Sequence, residues 1–303
     1  MSCKYVLAKT LLGVICLGMA AIAAIPASAD NAPVRSIWIW NTAPIRNDPE
    51  EQAHFFDFLA APHGVAKNNI GIVYMDGISA AKFTAPQTSS GLRKLIANAH
   101  ARKLRVDFLC GDPTWATPAG QPDGLSHLSA VLAFNRTGKV NERFDGFQYD
   151  VEPYLLPSWP SVDLERGMIA LLDKSNILIS KSAGPLLLSV AIPRWYGQTQ
   201  YHYLDRSIID RTDEVEVMDY VTTVDQLVND PEDVLTYAAK THKKVWIGVE
   251  TGEVKEAPTC SFFGRSNTEM EEMLASAAPR LAQYPSFSGY AIHHYGSYRE
   301  MKP

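Results

Sequence analysis

The sequence predicts an α/β fold, namely a single-domain (β/α)8 barrel (TIM barrel) over residues 30–303. Eight short apolar or aromatic runs recur along this stretch, and most of them are nearly continuous, which is typical of parallel strands buried on both faces. Amphipathic segments separate the runs, and no low-complexity linker divides them. A doubly wound open sheet is the alternative. Residues 38–42 argue against it, because they lack the glycine-rich phosphate loop that follows the first strand of such folds.

The predicted strands are runs of β-branched and aromatic residues bounded by polar loops. They span residues 36–40, 70–75, 104–109, 144–151, 186–192, 214–218, 245–249 and 289–293. Helices are predicted between them over residues 48–60, 89–103, 162–181, 230–243 and 267–283. Pro49 and Pro231 stand at first-turn positions where a missing N–H is harmless, and Asp230 is the expected cap of the fourth helix. Few residues follow the eighth run, so its outer helix should be short or missing.

The first 29 residues have the features of a secretory signal peptide. Lys4 and Lys9 precede an apolar run over residues 10–25, and small residues at 27 and 29 suit a signal peptidase. Cleavage before Asp30 predicts a periplasmic or secreted protein. A membrane anchor is the alternative, but an apolar core of about 16 residues is short for a spanning helix.

Composition narrows the range of partners. The 303 residues are 46% hydrophobic and 20% charged, with a formal charge of −5, as in ordinary globular proteins. No basic surplus exists to neutralise phosphates, so we expect no nucleic acid partner. No second long apolar stretch occurs, so we expect no integral membrane segment after signal cleavage. Cys110 and Cys260 remain after cleavage, either as a disulfide or as separate thiols.

Three polar side chains are predicted on one face of the fourth strand. Because side chains alternate along a strand, Gln148, Asp150 and Glu152 point the same way, towards the barrel interior and its mouth. Burying them is costly unless they are paired, which indicates a site; a solvated acidic loop is the alternative. Two adjacent carboxylates do not both ionise cheaply, so one pKa should rise. A raised glutamate pKa suits a general acid, so Glu152 is the predicted proton donor and Asp150 its modulator.

The fourth-strand segment resembles the DGxDxDxE signature of family-18 chitinases. Asp145, Gly146, Asp150 and Glu152 match it, whereas Gln148 replaces the middle acid. The resemblance implies that Glu152 donates the proton and that Asp150 orients the acetamido group of the substrate.

The sixth strand is similar to the MxYD motif of the same family. Met218-Asp219-Tyr220 matches in part, but Val221 stands where the family has aspartate, and the family's tryptophan at strand eight is absent. The resemblance implies that Tyr220 binds the acetamido carbonyl. Asp145, Gln148 and Asp219 are predicted as supporting residues, and Asp145 is expected to act through strand-end structure rather than by touching substrate.

A second resemblance is to clan-A retaining glycosidases, which carry an acid/base glutamate after strand four and a nucleophilic glutamate after strand seven. Glu152-Pro153 resembles the first segment and Glu250 the second, 98 residues later. A retaining pair would lie ~5–5.5 Å apart and an inverting pair ~6.5–9.5 Å apart. Both resemblances make Glu152 the donor, but the nucleophile is either the substrate's acetamido oxygen or Glu250. A salt-bridged strand-end carboxylate remains the structural alternative for Glu250.

Further substrate contacts are expected at the strand ends, because aromatic side chains bind the apolar faces of sugars. The candidates are Trp40, Trp115, Trp195, Tyr196, Asp76, Asp112, Arg194, His293 and Tyr295. Arg194 is expected to pair with Asp76, Asp112 or substrate, and a histidine at 293 or 294 to hydrogen-bond Glu250 or a sugar hydroxyl. Trp38 lies deeper and is assigned to the core.

The sequence therefore predicts an exported glycoside hydrolase that cleaves an oligo- or polysaccharide with carboxylate general acid catalysis. The alternative is a carbohydrate-binding barrel without turnover, since Gln148 and Val221 replace acids of the family pattern. Either function makes carbohydrate the partner. No HxH follows the first strand and no HExxH occurs, so we expect no metal and no cofactor. The oligomeric state is not predicted.

Overall fold

Eight parallel strands close into a barrel in chain order, and the last strand pairs with the first. The structure is a computed structural model that describes residues 33–303, so the predicted signal peptide lies outside the described residues. The strands are β1 (Val34–Ile39), β2 (Ile70–Met75), β3 (Arg105–Cys110), β4 (Gly146–Tyr149), β5 (Leu187–Pro193), β6 (Glu214–Met218), β7 (Lys244–Glu250) and β8 (Phe287–His293). The predicted (β/α)8 barrel is confirmed, with every strand found near its expected position.

Helices surround the barrel. Within residues 33–303 the α-helices are α1 (Ala43–Asn47), α2 (Pro49–Ala60), α3 (Pro86–His100), α4 (Gln121–Thr137), α5 (Val162–Ser180), α6 (Leu204–Ile209), α7 (Val224–Asn229), α8 (Glu232–Lys240), α9 (Asn267–Leu281) and α10 (Tyr295–Glu300). The helix after β8 has six residues, which confirms that the eighth outer helix is short. None of the helices described is long and apolar enough to cross a membrane.

Helix boundaries show where local signals were misleading. Asp48 caps α2, and Pro49 occupies its first position, as expected. Asp230 does not cap α8, because this helix begins one residue later and Pro231 takes the cap position. The sequence also gave no prediction for α4. Its buried residues Leu128, Val131 and Phe134 do have helical spacing, but small and polar residues between them obscure the pattern.

Two layers of side chains stabilise the barrel. The larger core lies between the strands and the helices, while a smaller cluster that includes Trp38, Tyr74 and Trp246 fills the interior. Trp38 is therefore a core residue, as predicted. Ionisable groups also lie inside the barrel, where Glu214 accepts hydrogen bonds from Arg105 at 2.7 Å and from the Trp246 indole at 2.7 Å. A filled interior leaves the carboxyl ends of the strands as the place for a site.

Candidate active site

Asp150 and Glu152 follow β4 directly, at the mouth formed by the carboxyl ends of the strands. The Asp150 N–H donates to the Cys110 carbonyl at 2.9 Å, which ties the segment to the end of β3. Gly111 allows this approach, because a Cβ at that position would lie 1.7 Å from the Asp150 carbonyl oxygen. A side chain at residue 111 would therefore displace the first acid of the site.

The two acids have different surroundings. Burial, followed by the charges of Glu152 and Asp76, raises the pKa of Asp150 to about 8. Its Oδ1 is buried and has no hydrogen-bond partner among the described residues. The sequence predicted that one pKa of the pair would rise, and this rise falls on Asp150. Asp150 is therefore protonated at neutral pH, next to the predicted donor.

Glu152 is half-buried and is held by a residue that the sequence analysis did not single out. The Tyr154 hydroxyl donates a hydrogen bond to Glu152 Oε1. No other side-chain partner of this carboxylate is found in residues 33–303, so Oε2 is the atom left to carry a proton. The sequence signal for Tyr154 was an aromatic residue two positions after the glutamate. Strand alternation does not predict the direction of a loop side chain, so this contact was not predicted.

Aromatic rings form a wall beside Glu152. This aromatic wall consists of Tyr154, Trp159, Trp195, Tyr196 and Tyr201. Trp195 is its centre, with ring centroids 5.2 Å from Tyr154 and 4.7 Å from Tyr201. Trp195 and Tyr201 are half-buried and present apolar surface, whereas Tyr196 is 1% exposed. Trp195 and Tyr196 were predicted as substrate contacts, but the burial of Tyr196 makes it a packing residue. Trp159, in a loop, and Tyr201, in a 3-10 turn, were not predicted.

A chain of hydrogen bonds joins the ends of β7, β8 and β1. His293 Nδ1 lies 2.6 Å from Glu250 Oε2, and the Trp40 indole N–H donates to His293 Nε2 at 2.8 Å. An indole N–H only donates, so Nε2 accepts and the proton of the neutral ring lies on Nδ1, facing the carboxylate. The Gly252 N–H donates to Glu250 Oε1 at 2.5 Å. The expected bond between a histidine and Glu250 is thus confirmed for His293.

His294 has a different place. Its ring caps α10 by accepting the Gly296 N–H at 3.2 Å. Alternation along β8 explains this split, because only one of two successive side chains faces the mouth.

Tyr220 connects the two sides of the mouth. Its ring centroid lies 5.8 Å from that of His293. Burial raises the pKa of the Tyr220 hydroxyl, and the charges of Glu250, Asp150 and Glu152 raise it further. The charges of all three predicted catalytic carboxylates therefore act on one buried hydroxyl.

Two residues of the fourth-strand motif lie away from the mouth. Asp145 precedes β4 at the opposite end of the strand, where it accepts from His100 Nε2 at 2.9 Å and from the Val106 N–H at 2.8 Å. This is the structural role that the sequence favoured for it. Gln148 is fully buried inside the barrel, accepting from the Trp38 indole at 2.6 Å and donating to Ser189.

The expected pairing of Arg194 with Asp76 or Asp112 was wrong. Arg194 Nη1 lies 3.3 Å from Asp219 and 3.1 Å from Asp230, and makes no ion pair with Asp76 or Asp112. The error arose because Asp230 lies between α7 and α8, far along the chain from Arg194, so no local pattern indicated this partner. Burial and the charge of Asp230 raise the pKa of Asp219 to about 7, so this supporting residue belongs to a strand-end ion pair.

Two expected aromatic contacts lie in the core instead. Trp115 is 3% exposed and donates its indole N–H to Asp123 at 3.0 Å. Tyr295 is 8% exposed and packs against Phe55, with ring centroids 5.1 Å apart, outside the barrel. Tyr295 lies outside because the chain leaves β8 at His293 and enters α10 two residues later.

Asp76 and Asp112 line a small pocket of about 310 Å³ next to the ends of β2 and β3. Asp112 is exposed and its Oδ1 accepts the Thr114 N–H at 2.8 Å, so it caps a 3-10 turn. Asp76 accepts the Gly77 N–H, and burial raises its pKa. Of these two carboxylates, only Asp76 contributes to the raised pKa of Asp150.

The described residues include possible metal ligands and cysteine thiols. Within residues 33–303, no group of three or more His, Cys, Asp or Glu side chains is placed to hold a metal ion. Cys110 and Cys260 are both free thiols. The loop after β7 is tied to the strand, because the Phe262 N–H donates to the Glu250 carbonyl at 2.9 Å.

Comparisons with known proteins bear on the fold. No protein-family model matches the chain, and no curated protein matches it significantly. A chitinase from Chromobacterium violaceum has a similar structure, with a TM-score of 0.53 and 14% identity over 88% of this chain and 95% of that one.

Two further solved structures agree with this comparison. A GH18 chitinase from Pseudoalteromonas aurantia gives a TM-score of 0.54 at 13% identity, covering 87% and 95% of the two chains. A GH18 chitinase from Cycas revoluta, solved with allosamidin, gives 0.54 at 12% identity, covering 86% and 94%. The chain therefore has the (β/α)8 barrel fold that these chitinases share.

Proposed function

We propose that this protein is an exported glycoside hydrolase that cleaves an oligo- or polysaccharide containing N-acetylated amino sugars. One observation carries the proposal: Asp150, whose pKa burial raises to about 8, adjoins Glu152 at the barrel mouth beside the aromatic wall. A carboxyl group that holds a proton at neutral pH is what general acid catalysis of glycosidic bond cleavage requires. The chitinase fold of the neighbours is consistent with this chemistry but does not by itself assign it.

Glu152 is the proposed proton donor. With Oε1 occupied by the Tyr154 hydroxyl, Oε2 is the oxygen that would deliver a proton to the glycosidic oxygen as the C1–O bond breaks. The protonated Asp150 adds no negative charge beside it at neutral pH. Trp195 and Tyr201 offer partly exposed ring faces on which the sugar chain would stack.

The substrate's own acetamido oxygen is the proposed nucleophile. Both Glu250 oxygens are already engaged, by His293 and by the Gly252 N–H, and the side chain is 5% exposed. We therefore assign Glu250 to positioning, through His293, of the Trp40 ring. Attack on C1 by the acetamido oxygen would form a cyclic oxazolinium ion, which water then opens with Glu152 as base. Tyr220 is the residue proposed to hold the acetamido group.

A carbohydrate-binding protein without turnover is the second candidate. Gln148 favours it, because this residue replaces an acid of the family pattern and is bonded to Trp38 and Ser189 rather than to Asp150. Val221 favours it as well, since it is buried and has no polar group.

A reducing-end assay on matched oligosaccharides separates these functions. We expect cleavage of N-acetylglucosamine oligomers and acetylated cell-wall fragments, and none of the fully deacetylated oligomers or of glucose oligomers of equal length. Cleavage of glucose oligomers, abolished by Glu250→Gln, would instead assign Glu250 as nucleophile. Binding to the acetylated oligomers without any product release would support the second candidate.

A further inference from the structure

A second cavity opens at the end of the barrel opposite the mouth. Its volume is about 810 Å³, and it is bounded by Arg105 and Leu187 at the starts of β3 and β5 and by Asp145 before β4. We call it the basal groove. Asp145 and Asp150 are five residues apart on an extended segment, which separates the groove from the candidate active site by about 16 Å. The groove is therefore a distinct feature of the molecule.

The basal groove is cationic although the chain is acidic overall. The whole sequence has 28 Lys and Arg against 33 Asp and Glu. The groove is lined by His100, Lys103, Arg105, Arg136 and Arg143, but by only one carboxylate, that of Asp145. Such a local excess of positive charge favours anions and would raise their concentration at the groove.

Three of these cations are available to a ligand. Arg105 is already paired with Asp107 and Glu214, and His100 with Asp145. Lys103, Arg136 and Arg143 make no ion pair with any residue of 33–303. Arg143 donates its Nε–H to the Gly138 carbonyl at 2.9 Å, which leaves its two terminal nitrogens for a ligand.

His100 adds to the positive charge without competing for the ligand. Its Nδ1 lies 2.9 Å from the Asn141 carbonyl and its Nε2 lies 2.9 Å from Asp145 Oδ2. Both neighbours are acceptors, so both ring nitrogens donate and the ring is an imidazolium. Asp145 is thereby neutralised, and the free cations have no competing carboxylate in the groove.

The remaining lining is mainly aliphatic. Leu104, Leu132, Leu186 and Val140 contribute to the walls, and Val140 is 78% exposed at the rim. Sugar-binding surfaces use aromatic faces, as the aromatic wall at the mouth does, whereas aliphatic walls suit a hydrocarbon chain. The volume lies within the ~300–1,000 Å³ of small-molecule sites, which favours a small ligand over a macromolecule.

We propose that the basal groove binds a small amphiphilic anion, that is, a phosphate or carboxylate head carried on an aliphatic chain. The head would lie among Lys103, Arg136 and Arg143, and the chain would cover Val140 and the leucines. This site is independent of the glycoside hydrolase function proposed above, because its ligand and its residues are different.

Calorimetric titration with octyl phosphate tests the proposal without any activity assay. We expect octyl phosphate to bind at least ~10-fold more tightly than inorganic phosphate or octanol, since each of these lacks one half of the ligand. The double variant Lys103→Glu/Arg136→Glu changes two exposed side chains and should weaken octyl phosphate binding by at least ~10-fold. Val140→Ser should weaken octyl phosphate binding and leave inorganic phosphate binding unchanged. Lys240→Glu, on the exposed face of α8, is the matched control.

Three results would overturn the proposal. The first is equal binding of octyl phosphate to wild type and to the double variant. The second is binding of octanol as tight as that of octyl phosphate, which would remove the role of charge. The third is binding to vesicles of anionic phospholipid, lost in the double variant, with no binding of monomeric octyl phosphate, which would make the groove a membrane contact instead.

Discussion

Asp150 and Glu152 are two residues apart, yet their surroundings assign them different tasks. Asp150 is tied by its backbone to β3, and its buried Oδ1 has no hydrogen-bond partner within residues 33–303, whereas Glu152 is half-buried and held by Tyr154. Burial and the charge of Glu152 penalise the ionised form of the first acid and raise its pKa to about 8. The two acids of this segment therefore differ in burial and in hydrogen bonding.

The titration of Asp150 tests this division of tasks. We expect its carboxyl carbon, followed by NMR, to titrate near pH 8, and Glu152→Gln to lower that pKa because a neighbouring negative charge is lost. Asp76→Asn should lower it for the same reason. Glu256→Gln, at an exposed position, is the matched control and should leave it unchanged. An Asp150 that titrates below pH 5 in the wild type would contradict the account.

The tautomer of His293 tests the assignment of Glu250 to positioning. At pH 8 we expect nitrogen NMR to show a neutral ring with the proton on Nδ1, because Trp40 donates to Nε2. Trp40→Phe removes that donor, so the Nε2–H tautomer should then become populated. His127→Gln is the control that removes another ring signal without touching this chain. A proton on Nε2 in the wild type would exclude the arrangement.

At the residue scale, sequence reasoning succeeded where strand alternation decides direction. Asp150 and Glu250 lie at strand ends, and their placement at the mouth follows from the period of two. Tyr154 and Arg194 show the limit, because loop conformation selects their partners. The partner Asp230 lies 36 residues from Arg194, and no local pattern connects them.

At the scale of elements, the junction of β3 and β4 positions the acid pair. The strands pair in register from Asp107–Gly146 to Cys110–Tyr149, and the next hydrogen bond brings in Asp150. The sequence located all eight strands because most of their apolar runs are nearly continuous. It could not locate the close contact at Gly111, since only the folded backbone shows what lies beside a glycine.

Gly111→Ala tests the importance of this junction. The added Cβ would lie 1.7 Å from the Asp150 carbonyl oxygen, so the backbone must move. We expect about 1–3 kcal/mol of lost unfolding free energy, as for other overpacked sites, together with a lower Asp150 pKa as its burial is relieved. Denaturant unfolding and the NMR titration measure the two effects. Gly184→Ala, whose Cβ would meet only the tip of Arg143 at 3.9 Å, is the control and should change neither.

At the scale of the whole molecule, several buried groups bind protons more tightly in the folded state. Burial raises the pKa of Glu216 to about 8 and that of Asp107 to about 6, and the hydrogen bond to Asp145 raises the pKa of His100. A raised pKa, whether of an acid or of a histidine, means that the folded chain retains protons that the unfolded chain releases. The His294 pKa is lowered by burial and acts in the opposite direction.

Stability should therefore fall as pH rises from about 5 to 8. Glu216 alone could account for up to about 4 kcal/mol of this loss, because its pKa is about 4.5 in the unfolded chain and about 8 in the barrel. Glu216→Gln keeps an acceptor for the Tyr74 hydroxyl and should flatten the dependence of Tm on pH. Thermal unfolding of both proteins at several pH values measures this. A wild-type Tm that increases towards pH 8 would contradict the expectation.

The central claim is that Glu152 protonates the glycosidic oxygen, and the most direct test is kcat for acetylated oligosaccharide cleavage by Glu152→Gln. We predict a loss of at least ~10²-fold, the usual contribution of a general acid, with Tm unchanged, while Glu256→Gln retains wild-type kcat. Full activity of Glu152→Gln would contradict the account.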